Sequence, residues 1–341
     1  MRSRVLTAAL VLGLCAACGS AAPRDIPYTP PEAPSERDLA YMAAYREIIG
    51  ATANSVWPGW EVPPPLLQRG ETMEYLVGHP DPPADFESLG LTVDGEPVLA
   101  APLGTISPGP YATTWQVGGV WSAMVPIRSV FERTVADVLG AGVVTWDDAA
   151  YLRVLLHEGF HAHQFATRPV PPTFGDADDD AARALTAAPG WEDAYADEAA
   201  ALRDAIDATD VDGVLSGTRQ FLELRRSRRA GLGDGAAVLE RTQEWTEGAA
   251  RYADLTILAG AATTGAVPTG MSVPDAATIR RAYLDDLVST ESRLDGLAGW
   301  MQALGSAQCQ VLDRLVPDWQ HGVLVEGRAL EDLLSEAVTA A

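Results

Sequence analysis

The segment LRVLLHEGFHAHQ, residues 152–164, carries three of the five histidines in the chain. Within it, His157 and His161 frame the pattern H-E-x-x-H. Four residues of an α-helix advance by about 400°, so these two imidazoles point about 40° apart and stand one turn apart on one face. That spacing suits two ligands of a single Zn²⁺ ion. The segment therefore predicts a helix that carries a metal site.

Between the two histidines lies an acidic residue suited to base catalysis. Glu158 lies about 100° round the helix from His157, close enough to reach a metal-bound water but not placed as a third ligand. Zinc lowers the pKa of such a water toward about 7, and a carboxylate can take its proton as it attacks a carbonyl. We therefore expect Glu158 to act as general base. The alternative is a buried helix whose two histidines are satisfied by hydrogen bonds.

The residues before the motif favour a capped and buried helix. Thr145 opens the segment and Asp148 follows three residues later, which resembles a capping box. An apolar run then leads into the motif, formed by Leu152, Val154, Leu155 and Leu156. These features predict a helix held firmly in the core, as a metal site requires.

A catalytic zinc needs a third protein ligand and one open position. The candidates lie in VLERTQEWTEGAARYADL, residues 238–255, in which five charged side chains share one helical face: Glu240, Glu244, Glu247, Arg251 and Asp254. For Glu240 and Asp254 we expect a solvated, ion-paired stripe. Glu247 and Glu244 compete as third ligand. Gly248 favours Glu247 because glycine allows close helix approach, and Glu244 would then orient a histidine.

Two resemblances support the same site. TEGAARY, residues 246–252, resembles the N-E-G-x-x-x-Y segment of aminopeptidase N-like enzymes and other gluzincins. This implies that Glu247 completes the H-E-x-x-H site from a second, antiparallel helix, and that Tyr252 can hydrogen-bond a developing oxyanion. A core aromatic with a satisfied hydroxyl is the alternative for Tyr252.

The chain is also similar to a group of exported bacterial proteins over roughly residues 70–335. Those proteins combine H-E-x-x-H-x-x-Q, a later E-G-x-A-x-Y and a C-terminal stretch containing L-D, proline and tryptophan. The corresponding pieces here are His157 to Gln164, Glu247 to Tyr252, and VLDRLVPDW at residues 311–319. This resemblance implies an exported metalloprotein.

The remaining polar candidates have weaker signals. His163 lies about 240° from His157, off the ligand face, so we expect a structural role or one outside the coordination shell. His321 falls in a predicted loop and is expected at the surface, with transition-state donor as the alternative. Glu198 is expected on a polar helix face, and Cys309 within the core.

Composition excludes several classes of protein. The chain has 341 residues, a net charge of −23 and no lysine, since all 24 basic residues are arginine. The acidic balance excludes a phosphate-binding groove for nucleic acid. Without lysine there is no lysine Schiff base, P-loop lysine or Ser-Lys dyad. Apolar residues make up 47%, enough for a substantial core.

The N-terminus predicts export. MRSRVLTAALVLGLCAACGS has arginines followed by an apolar run of ten residues, too short to span a bilayer. Small residues before Cys18 resemble a bacterial lipobox. We expect a signal peptide at residues 1–17, a lipid on Cys18 that anchors the protein to the membrane, and a flexible tether at residues 18–37. A plain secretory signal is the alternative.

From residue 38 to residue 341 we expect one metallopeptidase-like domain of α+β class, predominantly helical. Residues 38–140 form its β-rich part, with a hairpin at Asp94-Gly95 and a small antiparallel sheet. Residues 141–341 form a helical part with the metal site, ending in three helices broken at residues 316–322. The gluzincin resemblance implies that this core is zincin-like.

Taken together, these patterns predict an extracytoplasmic, lipid-anchored zinc peptidase. His157, His161 and Glu247 would bind Zn²⁺, and Glu158 would activate water for attack on a peptide or another amide. The alternative is a non-catalytic binding or scaffolding lipoprotein of the cell envelope, with a structural metal or none. A structural zinc is normally closed by four protein ligands, for which Glu244 or His163 would be the fourth.

Overall fold

The computed structural model describes residues 33–139, 146–169, 180–288 and 296–341. In these ranges the N-terminal part forms, in order, α1 (Glu36–Val56), β1 (Leu66–Arg69), β2 (Met73–Val77), β3 (Glu87–Val93), β4 (Glu96–Pro102), β5 (Thr113–Val117), β6 (Val120–Pro126) and α2 (Arg128–Leu139). The predicted signal peptide, Cys18 and most of the tether lie outside the described residues.

The C-terminal part is helical. It comprises α3 (Asp148–Thr167), α4 (Ala181–Thr186), α5 (Trp191–Asp207), α6 (Val211–Arg229), α7 (Asp234–Gln243), a π turn (Glu244–Gly248), α8 (Ala249–Thr264), α9 (Ala276–Leu287), α10 (Gly296–Leu315), α11 (Trp319–Leu324) and α12 (Leu330–Ala340). The predicted α+β, mainly helical class is confirmed. Where three C-terminal helices were expected, the described residues after 274 form four, because a short helix, Trp319–Leu324, begins inside the predicted break.

Local signals account for the first helix and the first hairpin. Ser35 caps α1 and forms a capping box with Asp38, so the helix begins at Glu36. Asp94 and Gly95 both have positive φ, 52° and 79°, and join β3 to β4 as predicted.

The six strands form one sheet in the order β3-β4-β2-β1-β6-β5. The prediction of an antiparallel sheet was wrong in one pair, because β1 and β6 run parallel, with Leu66 opposite Ala123. A parallel pair needs a long connection, and residues 70–119 supply it. β5 pairs only with β6 among the described residues, so it forms an edge of the sheet.

The sheet separates two cores. One face packs against α1, α3 and the main hydrophobic cluster, which continues through the helices. The other face covers a smaller cluster, formed by Leu67, Leu76, Phe86, Ala101, Val117 and Met124. The motif helix α3 therefore lies between the sheet and α8 and is buried on both sides. Among the described residues, no helix is both long and apolar enough to cross a membrane.

Candidate metal centre

The H-E-x-x-H segment lies in the middle of α3, a buried helix as predicted. Its cap differs from the expectation. Thr145 lies outside the described residues, and the cap is Asp147, whose Oδ1 accepts a hydrogen bond of 2.8 Å from the backbone N–H of Ala150. Asp148, predicted to complete a capping box, instead forms ion pairs with Arg37 and Arg128.

Three side chains converge at the buried centre. The Nε2 atoms of His157 and His161 lie 3.2 Å apart, and Oε2 of Glu247 lies 3.2 Å from the first and 3.5 Å from the second. A tetrahedral zinc with bonds of about 2.0–2.1 Å separates neighbouring ligand atoms by roughly 3.3–3.4 Å. The triangle therefore has the size of a zinc-ligand face. It is the only such group of three or more metal-binding side chains within the described residues.

Hydrogen bonds on the far side of each ring set its orientation. Nδ1 of His157 lies 3.1 Å from an oxygen of Asp254, and Nδ1 of His161 lies 3.0 Å from Oε1 of Gln164. Because both partners are acceptors, each Nδ1 carries the proton and donates it. When both rings are unprotonated at Nε2, as metal binding requires, the two lone pairs point toward each other and toward the Glu247 carboxylate. Such a cluster of electron pairs fits a cation at its centre.

The charges around the centre also favour a cation. Burial lowers the pKa of His157, but hydrogen bonds with Asp254 and Glu247 outweigh burial and raise it to about 10. Burial raises the pKa of Glu247, but His161 and His157 outweigh it and hold that pKa far below its usual range. The Glu247 carboxylate is therefore ionised, and the two carboxylates stabilise a positive charge at His157, either a proton on the ring or a metal ion in its place.

The π turn and α8 supply two carboxylates that hold His157 from both ends. Glu247 lies in the π turn and Asp254 lies seven residues later, about two turns along the helix. Glu247 approaches Nε2 and Asp254 approaches Nδ1, so the imidazole is clamped between them. Arg153 donates to the other oxygen of Asp254 at 2.7 Å and offsets its charge.

Close backbone contact fixes the π turn, as the glycine at position 248 predicted. The helix that approaches is α10 rather than the motif helix. A Cβ added to Gly248 would lie 2.5 Å from Cα of Gly305, and a Cβ added to Gly305 would lie 2.8 Å from Cα of Glu244. Only two glycines allow this separation. The residue next to Glu247 is therefore locked against α10.

Glu158 lies beside the cluster and is almost fully buried, at 1% exposure. The Thr114 hydroxyl, on the edge strand β5, lies 2.9 Å from the Glu158 carbonyl oxygen and 3.2 Å from its Oε2. Oε1 has no hydrogen-bond partner among the described residues. Burial raises the pKa of Glu158, while the histidines oppose this. The geometry leaves one carboxylate oxygen free to take a proton.

Glu244, predicted as rival ligand or as the residue that orients a histidine, does neither. Both of its oxygens accept hydrogen bonds from Arg225, at 2.6 and 2.9 Å. It faces away from the metal cluster because the π turn changes the helical phase between it and Glu247. Asp254 is the carboxylate that orients His157.

The ion pairing expected for Glu240 and Asp254 is confirmed, but their expected exposure to solvent is wrong, and so is the polar face expected for Glu198, since all three are buried. Glu198 and Glu240 pair instead with arginines of α6, namely Arg225, Arg228 and Arg229. Burial raises the pKa of Glu240, but these arginines outweigh it and hold the pKa at about 2. Tight ion pairing, rather than water, solvates these carboxylates.

Tyr252 is a core aromatic residue with a satisfied hydroxyl, which was the alternative to its predicted role as an oxyanion donor. Its hydroxyl donates to the Asp313 carboxylate at 2.8 Å, and its ring packs edge-on against Trp319. Cys309 is a free, buried core residue, as predicted.

Two further histidines discussed above, His163 and His321, lie apart from the cluster. His163 stacks on Trp60 with ring centroids 5.2 Å apart, and burial lowers its pKa to about 4. This is a structural role, as predicted. His321 is exposed, as expected, but lies in α11 rather than in a loop.

Comparison with known proteins adds no family to this geometry: the chain matches no family model, no curated protein and no solved structure. What the residues themselves support is a buried His157, His161 and Glu247 group that could hold a metal ion.

Proposed function

We propose that this protein is a zinc-dependent hydrolase that cleaves a peptide or another amide bond. The observation that carries the proposal is the triangle of His157, His161 and Glu247 beside a carboxylate with one free oxygen, on Glu158. Two imidazoles and one carboxylate form a donor set that catalytic zinc sites use. When bound, zinc supplies Lewis-acid polarisation and lowers the pKa of a water ligand to about 7.

Residues around the metal site would orient the ligands and transfer the proton. Asp254 and Gln164 hold the imidazoles in the tautomer that presents Nε2. Thr114 restrains Oε2 of Glu158, which leaves Oε1 to accept the proton of the attacking water and to pass it to the leaving amine. Burial raises the pKa of Glu158 toward the working range of a general base.

A peptide substrate is supported by the position of β5. This strand has one unpaired edge among the described residues, and its Thr114 touches Glu158. An extended peptide can add to such an edge through main-chain hydrogen bonds. Its scissile bond would then pass close to the proposed base.

A purely structural zinc has less support. Such a site is normally closed by a fourth protein ligand. Glu244 is held by Arg225, and His163 is stacked on Trp60, so neither candidate lies at the cluster. A three-ligand site leaves a position for water, which favours catalysis over a scaffolding role.

We further propose that the enzyme works outside the cytoplasm, anchored by a lipid on Cys18. This part of the proposal rests on the sequence of residues 1–37 alone. Labelling with a radioactive fatty acid tests it: wild type should incorporate label and Cys18→Ser should not.

The function is tested by separating metal binding from hydrolysis. Wild type, Glu158→Gln and His161→Ala are incubated with a mixed peptide library, and products are followed by mass spectrometry. We expect Glu158→Gln to keep one zinc and lose at least about 100-fold in rate, and His161→Ala to lose the metal as well. Glu223→Gln, on an exposed glutamate, is the matched control. Full activity in Glu158→Gln would refute the mechanism.

A further inference from the structure

A half-buried aromatic side chain, Phe165, stacks on His161 of the metal cluster, and a second one, Trp121, packs against the first. The ring of Phe165 lies parallel to that of His161, with an interplanar angle of 6° and centroids 5.7 Å apart. The ring of Trp121 lies 5.2 Å from that of Phe165. Both residues are half-buried, whereas the other aromatic neighbours of α3, such as Trp57 and Tyr45, are buried. We call this pair, Phe165 and Trp121, the aromatic shelf.

The register of the sheet places Trp121 on the same face as Thr114, the residue that contacts Glu158. Gln116 of β5 is opposite Trp121 of β6, and Thr114 is opposite Ala123. Residues directly opposite each other, and residues two apart on one strand, point to the same face of a sheet. Thr114 touches Glu158 on this face, and Trp121 touches Phe165 on it. The shelf therefore lies beside both the base and the edge strand.

We propose that the aromatic shelf is the specificity subsite of the enzyme and accepts a large apolar side chain of the peptide. The inference rests on the proposed hydrolase function and adds the substrate class: peptides with phenylalanine, leucine or a residue of similar size next to the cleaved bond. A ligand ring set against Phe165 and Trp121 buries apolar surface and gains aromatic contact. A peptide with alanine or glycine there leaves the shelf exposed to water.

The opposite face of the same strand offers a matched control. Trp115 is 46% exposed and neighbours Thr114 in β5, but it points away from α3 because side chains alternate along a strand. Removing it deletes an equally large aromatic group from the same hairpin. It leaves the proposed subsite untouched.

The test uses two hydroxamates on the zinc-loaded full-length protein. Acetohydroxamate and 3-phenylpropanohydroxamate share one metal-binding group and differ in the phenyl arm, and calorimetry gives both affinities. We expect wild type to bind the phenyl compound more tightly by on the order of tenfold or more. Trp121→Ala and Phe165→Leu should each reduce that preference to about threefold or less, while Trp115→Ala keeps it.

The outcomes separate the subsite from the function on which it depends. If wild type binds both hydroxamates equally, or if the shelf variants keep the full preference, the subsite is refuted while the open metal position stands. If zinc is present and neither compound binds, the proposed function fails and the subsite fails with it. Should Phe165→Leu lose zinc because Phe165 supports His161, Trp121→Ala alone decides, since Trp121 does not touch a ligand.

Discussion

Replacing Gly248 by alanine tests the contact that holds the π turn in place. The new Cβ would lie 2.5 Å from Cα of Gly305 and 2.8 Å from its carbonyl carbon, both of which are backbone atoms. Carbon atoms normally pack at about 3.5–4.0 Å. The π turn and α10 would therefore have to separate by roughly 1 Å.

The expected magnitude follows from two opposing effects. Overpacking a rigid contact costs about 1–3 kcal/mol, whereas alanine in place of glycine inside a helix returns up to about 1 kcal/mol. We expect Gly248→Ala to lower the free energy of unfolding by about 1–2 kcal/mol. Since Glu247 is the preceding residue, zinc affinity should also fall, by about 10–100-fold.

Urea unfolding of the metal-free protein measures the loss of stability, and competition with a chromophoric chelator measures the loss of zinc affinity. Gly260→Ala is the control, because it lies in α8 and its added Cβ would meet only side-chain atoms of Thr52, at 3.8 Å. That variant should be as stable as wild type or more stable by up to about 1 kcal/mol. If Gly248→Ala matched it in stability and zinc affinity, the close backbone contact would not exist.

Three further perturbations probe the surroundings of the cluster. Asp254→Asn should weaken zinc binding by about 10–100-fold, since it removes the carboxylate that orients His157; unchanged affinity in the chelator assay would contradict the clamp. Arg225→Met leaves the buried carboxylate of Glu244 without its partner and removes one of the two arginines that pair with Glu198, so it should cost about 3–5 kcal/mol in urea unfolding; a loss below about 1 kcal/mol would show that the ion cluster is dispensable. The pKa of Glu240 is about 2 in the folded protein and 4.5 ordinarily. Its contribution to the free energy of unfolding is therefore complete above about pH 5 and is lost as the pH falls toward 2. The melting temperature should decline across that window, and Glu240→Gln should remove part of the slope; a wild-type melting temperature that stays level from pH 5 to pH 3 would contradict the shift.

The local features of this protein could be predicted from its sequence. The spacing of His157 and His161 within an apolar run predicts a buried helix with both rings on one face. The E-G pair predicts that Glu247 joins them, and the structure brings the three together. The Asp94-Gly95 turn is equally local.

What the sequence did not reveal depends on contacts between distant segments. A regular helix would place Glu240, Glu244, Glu247 and Asp254 on one face. The π turn changes the phase, so the first two face the arginines of α6 while the last two face His157. The parallel pairing of β1 with β6 has no local signal either.

Two residues at the site were missed for different reasons. Thr114 touches Glu158 from a strand 44 residues away, and nothing in its neighbourhood marks it. Asp254 carried a usable signal, because it lies seven residues after Glu247 and therefore on the same helical face. Asp254, rather than Glu244 as predicted, is the carboxylate that orients the His157 ring.

The metal content of the purified protein tests the central claim most directly. Protein purified without added metal is measured by inductively coupled plasma mass spectrometry, together with Glu247→Ala and the surface control Glu223→Gln. We predict one zinc per chain in wild type and in the control, and a loss of most of it in Glu247→Ala. A folded wild-type protein that contains no zinc and takes up none from a buffered solution would contradict the account.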